Sequence, residues 1–231
     1  LGAIVSGIPH SGQVRLDDEL ELLPAGTRHK VRGIQVYGVN ADSGKAGECI
    51  ALRLSNLAAD DVHRGMTLAT PATLTPARFL NVRFQLLPGL PVPLKPRSPI
   101  RLHIGTADAR GHLVMPTLAP PPPGEETYAQ VQLETPVVAA PGDFYVARLL
   151  NPAMPLGGGT VVAIDQKRLR RSKADWSERV GEKEKARQDP ATALLYLFEQ
   201  AGPVPLTGAQ LGRDAFLDAE TTATALTSLT A

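Results

Sequence analysis

The sequence predicts a mainly β protein: two consecutive antiparallel β-barrels followed by a short all-α helix-turn-helix or partial winged-helix segment. Three observations carry this. Proline occupies 21 of 231 positions, well above the usual ~5%, and frequent prolines break helices. Up to about residue 165, short runs of alternating apolar and polar residues are separated by Gly, Pro and Asp, the pattern of short antiparallel strands. After Asp165 the composition turns abruptly charged, then helical.

The first barrel is expected over residues 1–71. "AIVSGIPH" leads into a turn at Ser11-Gly12. Val14 and Leu16 alternate with polar neighbours before Leu20, Leu22 and Leu23, and Pro24 to Gly26 forms a turn. Val31, Ile34 and Val36 then mark one strand, and Ile50, Leu52 and Leu54 another. "TPATLTP" at 70–76 has two prolines and no core pattern, so it reads as a linker.

A second barrel is expected over residues 72–165, from "FLNVRFQLL", "IRLHIG", "GHLVMPTL", "YAQVQLE", "DFYVARLL" and "GGGTVVAI". "APPPPGEE" lies between two pairable strands and reads as an exposed hairpin loop rather than a polyproline ligand. Gly157 to Gly159 precede a β-branched strand with no helix after them. They suit a sharp turn or close backbone approach better than a phosphate cradle.

Residues 166–189 read as an exposed charged linker with some helical character. From 190 to 231 the signals are helical. Asp189 is an N-cap with Pro190 in the first turn, Leu194, Leu195 and Phe198 share a face, and Gly202-Pro203 ends the helix. Further helices are expected after Thr207 and after Asp218, the spacing of a helix-turn-helix.

The formal net charge of +1 excludes a global basic field, so any nucleic-acid contact must be local. One cysteine rules out an intrachain disulfide framework and suits a reducing compartment. No apolar run approaches the ~20 residues needed to span a bilayer, and no signal segment is visible; neither points to a membrane. The chain opens without Met and in mid-strand pattern, as a fragment of something longer would.

Catalytic patterns are missing. "GVNADSGKAG" has five residues between Gly38 and Gly44 and Ala46 after Lys45, whereas a phosphate loop needs four and then Ser or Thr. The histidines are scattered without ligand spacing, so no zinc site is expected, and no nucleophile elbow occurs. "QKRLRRSK" places Lys167, Arg168, Arg170, Arg171 and Lys173 close together. It is either a solvated linker face or a contact for an RNA backbone, since phosphates reward local Lys and Arg density. Cys49 falls on the opposite face from Ile50, Leu52 and Leu54. As a nucleophile it would need a lowered pKa and a nearby base, and the sequence shows no base.

Read in order, "VSGIPHSGQVRLDDELELLPAG", "VRGIQVYG", "KAGECIALRLSNLAADDVHRGMTLA", "RLHIGTADARGHL", "AQVQLETPVVAAPGDFYVARLLNP" and "GGGTVVAID" resemble the selenocysteine-specific elongation factors of bacteria, the SelB family of translational GTPases. The first three look like a barrel common to many translational GTPases. The later motifs are more specific to the family's third domain, and the helical tail resembles the first of its winged helices.

The resemblance implies a middle-region fragment, not itself an enzyme and without a cofactor, in a cytoplasmic protein. An N-terminal domain outside it would bind GTP and Mg and hydrolyse GTP. The two barrels would meet aminoacyl-tRNA (here selenocysteinyl-tRNA) and the ribosome, while distal winged helices would bind the mRNA hairpin that recodes UGA. The family's selenol pocket includes an Arg after an "AGQ"-like turn, and Cys49 occupies that place here; Asp17 stands where a turn Gly is usual. The same barrels would also suit another or a diverged translational GTPase without selenocysteine specificity.

Overall fold

The computed structural model describes residues 3–90, 94–117, 121–165, 167–169, 175–202 and 204–230. The chain divides into two compact units, Leu1–Leu74 and Thr75–Ala231. The division falls inside the proline-bearing stretch at 70–76.

The first unit contains β1 (Ile4–Gly7), β2 (Gln13–Arg15), β3 (Glu19–Leu23), β4 (Thr27–Val36), β5 (Val39–Ala41), β6 (Ser43–Lys45), β7 (Ile50–Leu54) and β8 (Thr67–Ala69). One sheet runs β1-β7-β4-β3-β8 with β5 added to β4, and β2 pairs with β6. Val14, Leu22, Val31, Ile34, Ile50, Leu52 and Leu54 from both sheets, with Leu57 beyond β7, form a single core. The step from Val31 to Ile34 breaks strict alternation. A register shift between Val31 and Gly33 explains it, because an extra residue returns the next side chain to the inner face. His29 is buried and satisfied: Nε2 lies 2.8 Å from the Thr27 hydroxyl and Nδ1 lies 2.9 Å from the Ser55 carbonyl oxygen.

Asp17 takes the left-handed conformation with φ 69°, which its short polar side chain tolerates better than most. Its carboxylate accepts from Arg32 at 3.0 Å and pairs with Lys30 at 3.2 Å. A charged residue at this turn is thereby tied to β4.

The second unit is a closed barrel, β10-β11-β12-β9-β14-β13, of β9 (Ala77–Leu86), β10 (Arg97–Ile104), β11 (Ala107–Val114), β12 (Glu126–Val137), β13 (Phe144–Leu149) and β14 (Pro155–Asp165). Its core includes Leu80, Val82, Phe84, Ile100, Leu102 and Val131, all fully buried. Closure brings β9, β13 and β14 very close together. A Cβ at Gly157 would overlap the Gln85 carbonyl oxygen, and one at Gly159 the Arg83 carbonyl oxygen. The glycine run is therefore a packing requirement. The proline loop connects β11 to β12, which pair antiparallel; Ala119 and Pro120 of that loop lie outside the described residues.

Four helices follow: α1 (Trp176–Ala186), α2 (Pro190–Ala201), α3 (Gly208–Ala215) and α4 (Ala219–Thr230). The α1 stretch differs from the exposed linker expected from its charge. Trp176 and Val180, one turn apart, are buried with Val114, Val162 and Ala163 of the barrel and with Leu169 just after it. Two large apolar residues at helical spacing suffice to dock an otherwise charged helix. At its other end Glu184 accepts from Arg83 at 2.7 Å and from the Tyr128 hydroxyl at 2.6 Å.

Asp189 caps α2 by accepting from the Thr192 amide at 2.8 Å, and Thr207 with Gln210 forms a capping box at α3. The expected shared face of α2 is split: Leu194 is buried against α3 and α4, while Leu195 and Phe198 are exposed. No described helix is long and apolar enough to cross a membrane.

Candidate nucleic-acid interface

Outward-facing residues of β10, β11 and β13 alternate with the core set, so the barrel's register decides which of them meet. Arg101 pairs directly with Arg110 on one side and with Arg148 on the other. Three guanidiniums therefore stand in a row across three strands. Directly opposed like charges cost a sheet roughly 0.2–1 kcal/mol per pair. Only Arg101 has an ion pair in this row, to Asp108 at 3.4 Å, and among the described residues Arg110 and Arg148 form none.

The positive face continues onto β12. Gln132 Oε1 accepts from Arg97 Nη1 at 2.8 Å and from Arg168 Nε at 2.9 Å. Two guanidiniums thus converge on one neutral amide oxygen. His112 lies opposite Gln132 in the ladder. Burial, then the charge of Arg97, and to a lesser degree that of Arg168, hold its imidazole below the ordinary range, against an opposing pull from Glu134.

Arg168 is held in place by backbone anchors on either side. The buried Gln130 amide donates to the Lys167 carbonyl at 3.1 Å and to Asn81 at 3.0 Å. Its oxygen accepts from the Leu169 amide at 2.6 Å and from Gln132 at 3.0 Å. Both N–H groups and both lone pairs of that side-chain amide are thereby engaged. The expected basic segment is sewn to the barrel at its first residues: Lys167 and Arg168 are exposed, and Leu169 is buried. Arg170, Arg171 and Lys173 lie outside the described residues.

Sequence reading missed Arg97, Arg101, Arg110 and Arg148. They are far apart along the chain, and only the strand register brings them together. The available signal was arginine on the polar positions of "RSPIRLHI", "ADARGHLV" and "FYVARL", which no linear charge count detects.

In the first unit, Cys49 is exposed just ahead of β7, and its carbonyl accepts from the Tyr37 amide at 2.9 Å. The strand pattern turns Ile50, Leu52 and Leu54 inward, and leaves Ala51 and Arg53 outward. Arg53 lies across the ladder from Gly33, and its Nη2 donates to the Arg32 carbonyl at 2.8 Å. It borders a half-open cavity of about 420 Å³ whose walls include Ile4, Leu16, Gln35, Asn40 and Ala51. The guanidinium on this side of β7 is thus Arg53's, and position 49 supplies none. Among the described residues no group of three or more His, Cys, Asp or Glu could hold a metal.

Comparison with known proteins gives these features a context. Residues 81–168 match the family model described as the beta-barrel domain of the selenocysteine-specific elongation factor. The selenocysteine-specific elongation factor of Desulfomicrobium baculatum is 34% identical over 174 residues, covering 75% of this chain and 27% of that protein. Elongation factor Tu 2 of Streptomyces avermitilis is 27% identical over 168 residues, covering 71% of this chain and 43% of that protein. The chain therefore spans about a quarter to two fifths of these relatives.

A crystal structure of the bacterial selenocysteine-specific elongation factor EF-Sec superposes with TM-score 0.73 at 21% identity, covering 95% of this chain and 34% of that one. The apo form of SelB from Methanococcus maripaludis superposes with TM-score 0.62 at 24% identity, covering 71% and 40%. Both show that the fold is shared.

Proposed function

We propose that the chain is the tRNA- and ribosome-facing middle region of a selenocysteine-specific elongation factor, with the second barrel, which the family model matches over residues 81–168, as its β-barrel domain. The observation that supports this most is the row Arg148–Arg101–Arg110 with Arg97 and Arg168 beside it. An exposed cation row that opposes its own sheet pairing suits an anionic partner, and a polynucleotide backbone meets several guanidiniums at once.

In this reading the barrel's arginine face holds the stem of an aminoacyl-tRNA. The first unit encloses its aminoacyl end, with Cys49 beside the acyl group and the Arg53 cavity close to it. The work of these residues is binding and orientation, and no catalytic group is assigned to them. The whole factor would hydrolyse GTP with Mg²⁺ through a separate domain, deliver selenocysteinyl-tRNA to ribosomes at recoded UGA codons in the cytoplasm, and reach the mRNA hairpin through distal domains. The Lys167–Lys173 segment would add further phosphate contacts next to Arg168.

A second reading rests on Cys49. A selenolate is best held by a guanidinium, and a thiol cannot supply that charge, so a diverged factor without selenocysteine preference would keep the same arginine face. The deciding experiment compares selenocysteinyl- with seryl-tRNA binding by the intact factor with GTP. The first reading predicts a clear preference for the selenocysteinyl form. Equal affinities would assign the chain to the diverged class.

A further inference from the structure

A chain of side-chain hydrogen bonds crosses the second barrel from β14 to β10, and it runs in one direction. Asp165 Oδ2 accepts from Asn81 Nδ2 at 3.3 Å, Asn81 Oδ1 from Gln130 Nε2 at 3.0 Å, and Gln130 Oε1 from Gln132 Nε2 at 3.0 Å. At the far end Gln132 Oε1 receives both Arg97 Nη1 and Arg168 Nε. An ionised carboxylate only accepts, so Asp165 turns the Asn81 nitrogen toward itself, and each amide after it must point the same way. The Lys167 carbonyl and the Leu169 amide fix Gln130 in the same sense. Gln132 therefore presents its oxygen, never its nitrogen, to the two arginines.

That acceptor is neutral. Two guanidiniums that share a carboxylate are held and cancelled together, whereas Gln132 holds them and cancels nothing. Both charges still reach His112, which stands opposite Gln132: after burial, Arg97 and to a lesser degree Arg168 lower its imidazole, against Glu134. Exposed Lys167 adds a third cation, and Glu134, two residues along β12 from Gln132, is the opposing carboxylate on this face. A guanidinium has five N–H donors, so the pair keeps donors for a second acceptor after each has spent one on Gln132. Like charges gathered on a neutral oxygen repel each other, and an anion that joins them offsets that cost.

We propose that Arg97 and Arg168 form a clamp for one phosphate of the bound RNA, and that Gln132 is the residue that positions it. This rests on the RNA-binding reading given above. Gln132 sets the direction of both guanidiniums before the phosphate arrives, so less side-chain freedom is lost on binding.

The test measures tRNA binding by the whole chain across a salt series. It compares the parent with Gln132→Leu, Gln132→Glu, the double variant Arg97→Gln with Arg168→Gln, and the triple variant Arg101→Gln, Arg110→Gln, Arg148→Gln. The double variant is expected to bind more weakly, with a slope of log K against log salt shallower by roughly 0.9, the share of one phosphate. Gln132→Glu neutralises the pair in place and should reproduce that shallower slope. Gln132→Leu keeps both charges but frees them, so affinity falls roughly three- to tenfold while the slope stays at the parent's. Thermal midpoints follow the fold separately, since a merely structural Gln132 would move the midpoint and leave the slope of the Glu variant unchanged. If Gln132→Glu unfolds because its second oxygen meets Gln130 Oε1, the double variant and Gln132→Leu carry the test. An unchanged slope in the double variant, with the triple variant shallower, would overturn the clamp and leave the RNA-binding reading standing. Parent-like affinity in Gln132→Leu would overturn its positioning role. Unchanged slopes in the double and triple variants alike would remove the RNA-binding reading and the clamp with it.

Discussion

Arg101 on β10 and Arg148 on β13 face each other directly across one ladder of the closed barrel. Such a pair works against the sheet that contains it, because both side chains leave the same surface at neighbouring positions. With Arg110 on its other side, Arg101 has like charge across both of its ladders. The barrel tolerates this because its stability comes from the apolar interior, where Ile100, Leu102 and Ala147 of the same strands are fully buried.

Neutralising one end of the row should therefore not harm folding. Arg110→Gln or Arg148→Gln is expected to leave the thermal midpoint unchanged or to raise stability by a few tenths of a kcal/mol, within the range of cross-strand charge pairs. Thermal unfolding of the single variants checks this. A loss above about 1 kcal/mol would give these arginines a structural role instead.

The Glu184 contact is expected to behave oppositely. Its carboxylate is only 25% exposed and accepts from Arg83 and Tyr128. Burial pushes its pKa up, but the hydrogen bonds from Arg83 and then Tyr128 outweigh burial and hold it below the ordinary 4.5. A carboxyl with a lowered folded-state value adds stability above its unfolded value and loses it as pH falls through the folded one. Glu184→Gln should cost about 1–3 kcal/mol near neutrality, and the gap from the parent should close as pH drops below about 4.5. Denaturant titrations at two pH values measure both.

Gly157→Ala should damage the second barrel. The added methyl meets the Gln85 carbonyl oxygen and the Phe84 ring, and neither a barrel ladder nor a core aromatic can easily give way. A loss of about 1–3 kcal/mol is expected from overpacking, read as a lowered midpoint in denaturant. Gly7→Ala in the first unit has open space at the added methyl and serves as the control with little effect.

Cys49 is exposed in the folded chain. A thiol reagent should label it to completion under native conditions, without the unfolding step that a buried thiol would need. Labelling only in denaturant would place the thiol inside the first unit and remove it from any acyl-end contact.

Much of this architecture was legible in the sequence, for local reasons. Alternation marked the strands, Asp189-Pro190 and Thr207 marked helix starts, and three glycines in a row marked a close backbone approach. The docked α1 was hidden because only Trp176 and Val180 carry its apolar stripe among many charges. The arginine face was hidden for a different reason. Arg101, Arg110 and Arg148 become neighbours only through ladder register and barrel closure, which depend on pairings between strands up to dozens of residues apart. Cys49 was visible as a departure at once, but Arg53 on the strand that follows it became relevant only when the fold placed it across Gly33.

Whether the arginine face holds RNA is tested most directly by the salt dependence of tRNA binding, comparing this chain with the triple variant Arg101→Gln, Arg110→Gln, Arg148→Gln. On a duplex, the slope of log K against log salt becomes shallower by roughly 0.9 for every phosphate the protein no longer neutralises. If the three guanidiniums meet phosphates, the triple variant binds more weakly with a slope shallower by about 2–3, and its fold stays intact. An unchanged affinity and slope would show that the barrel's arginine face does not hold RNA.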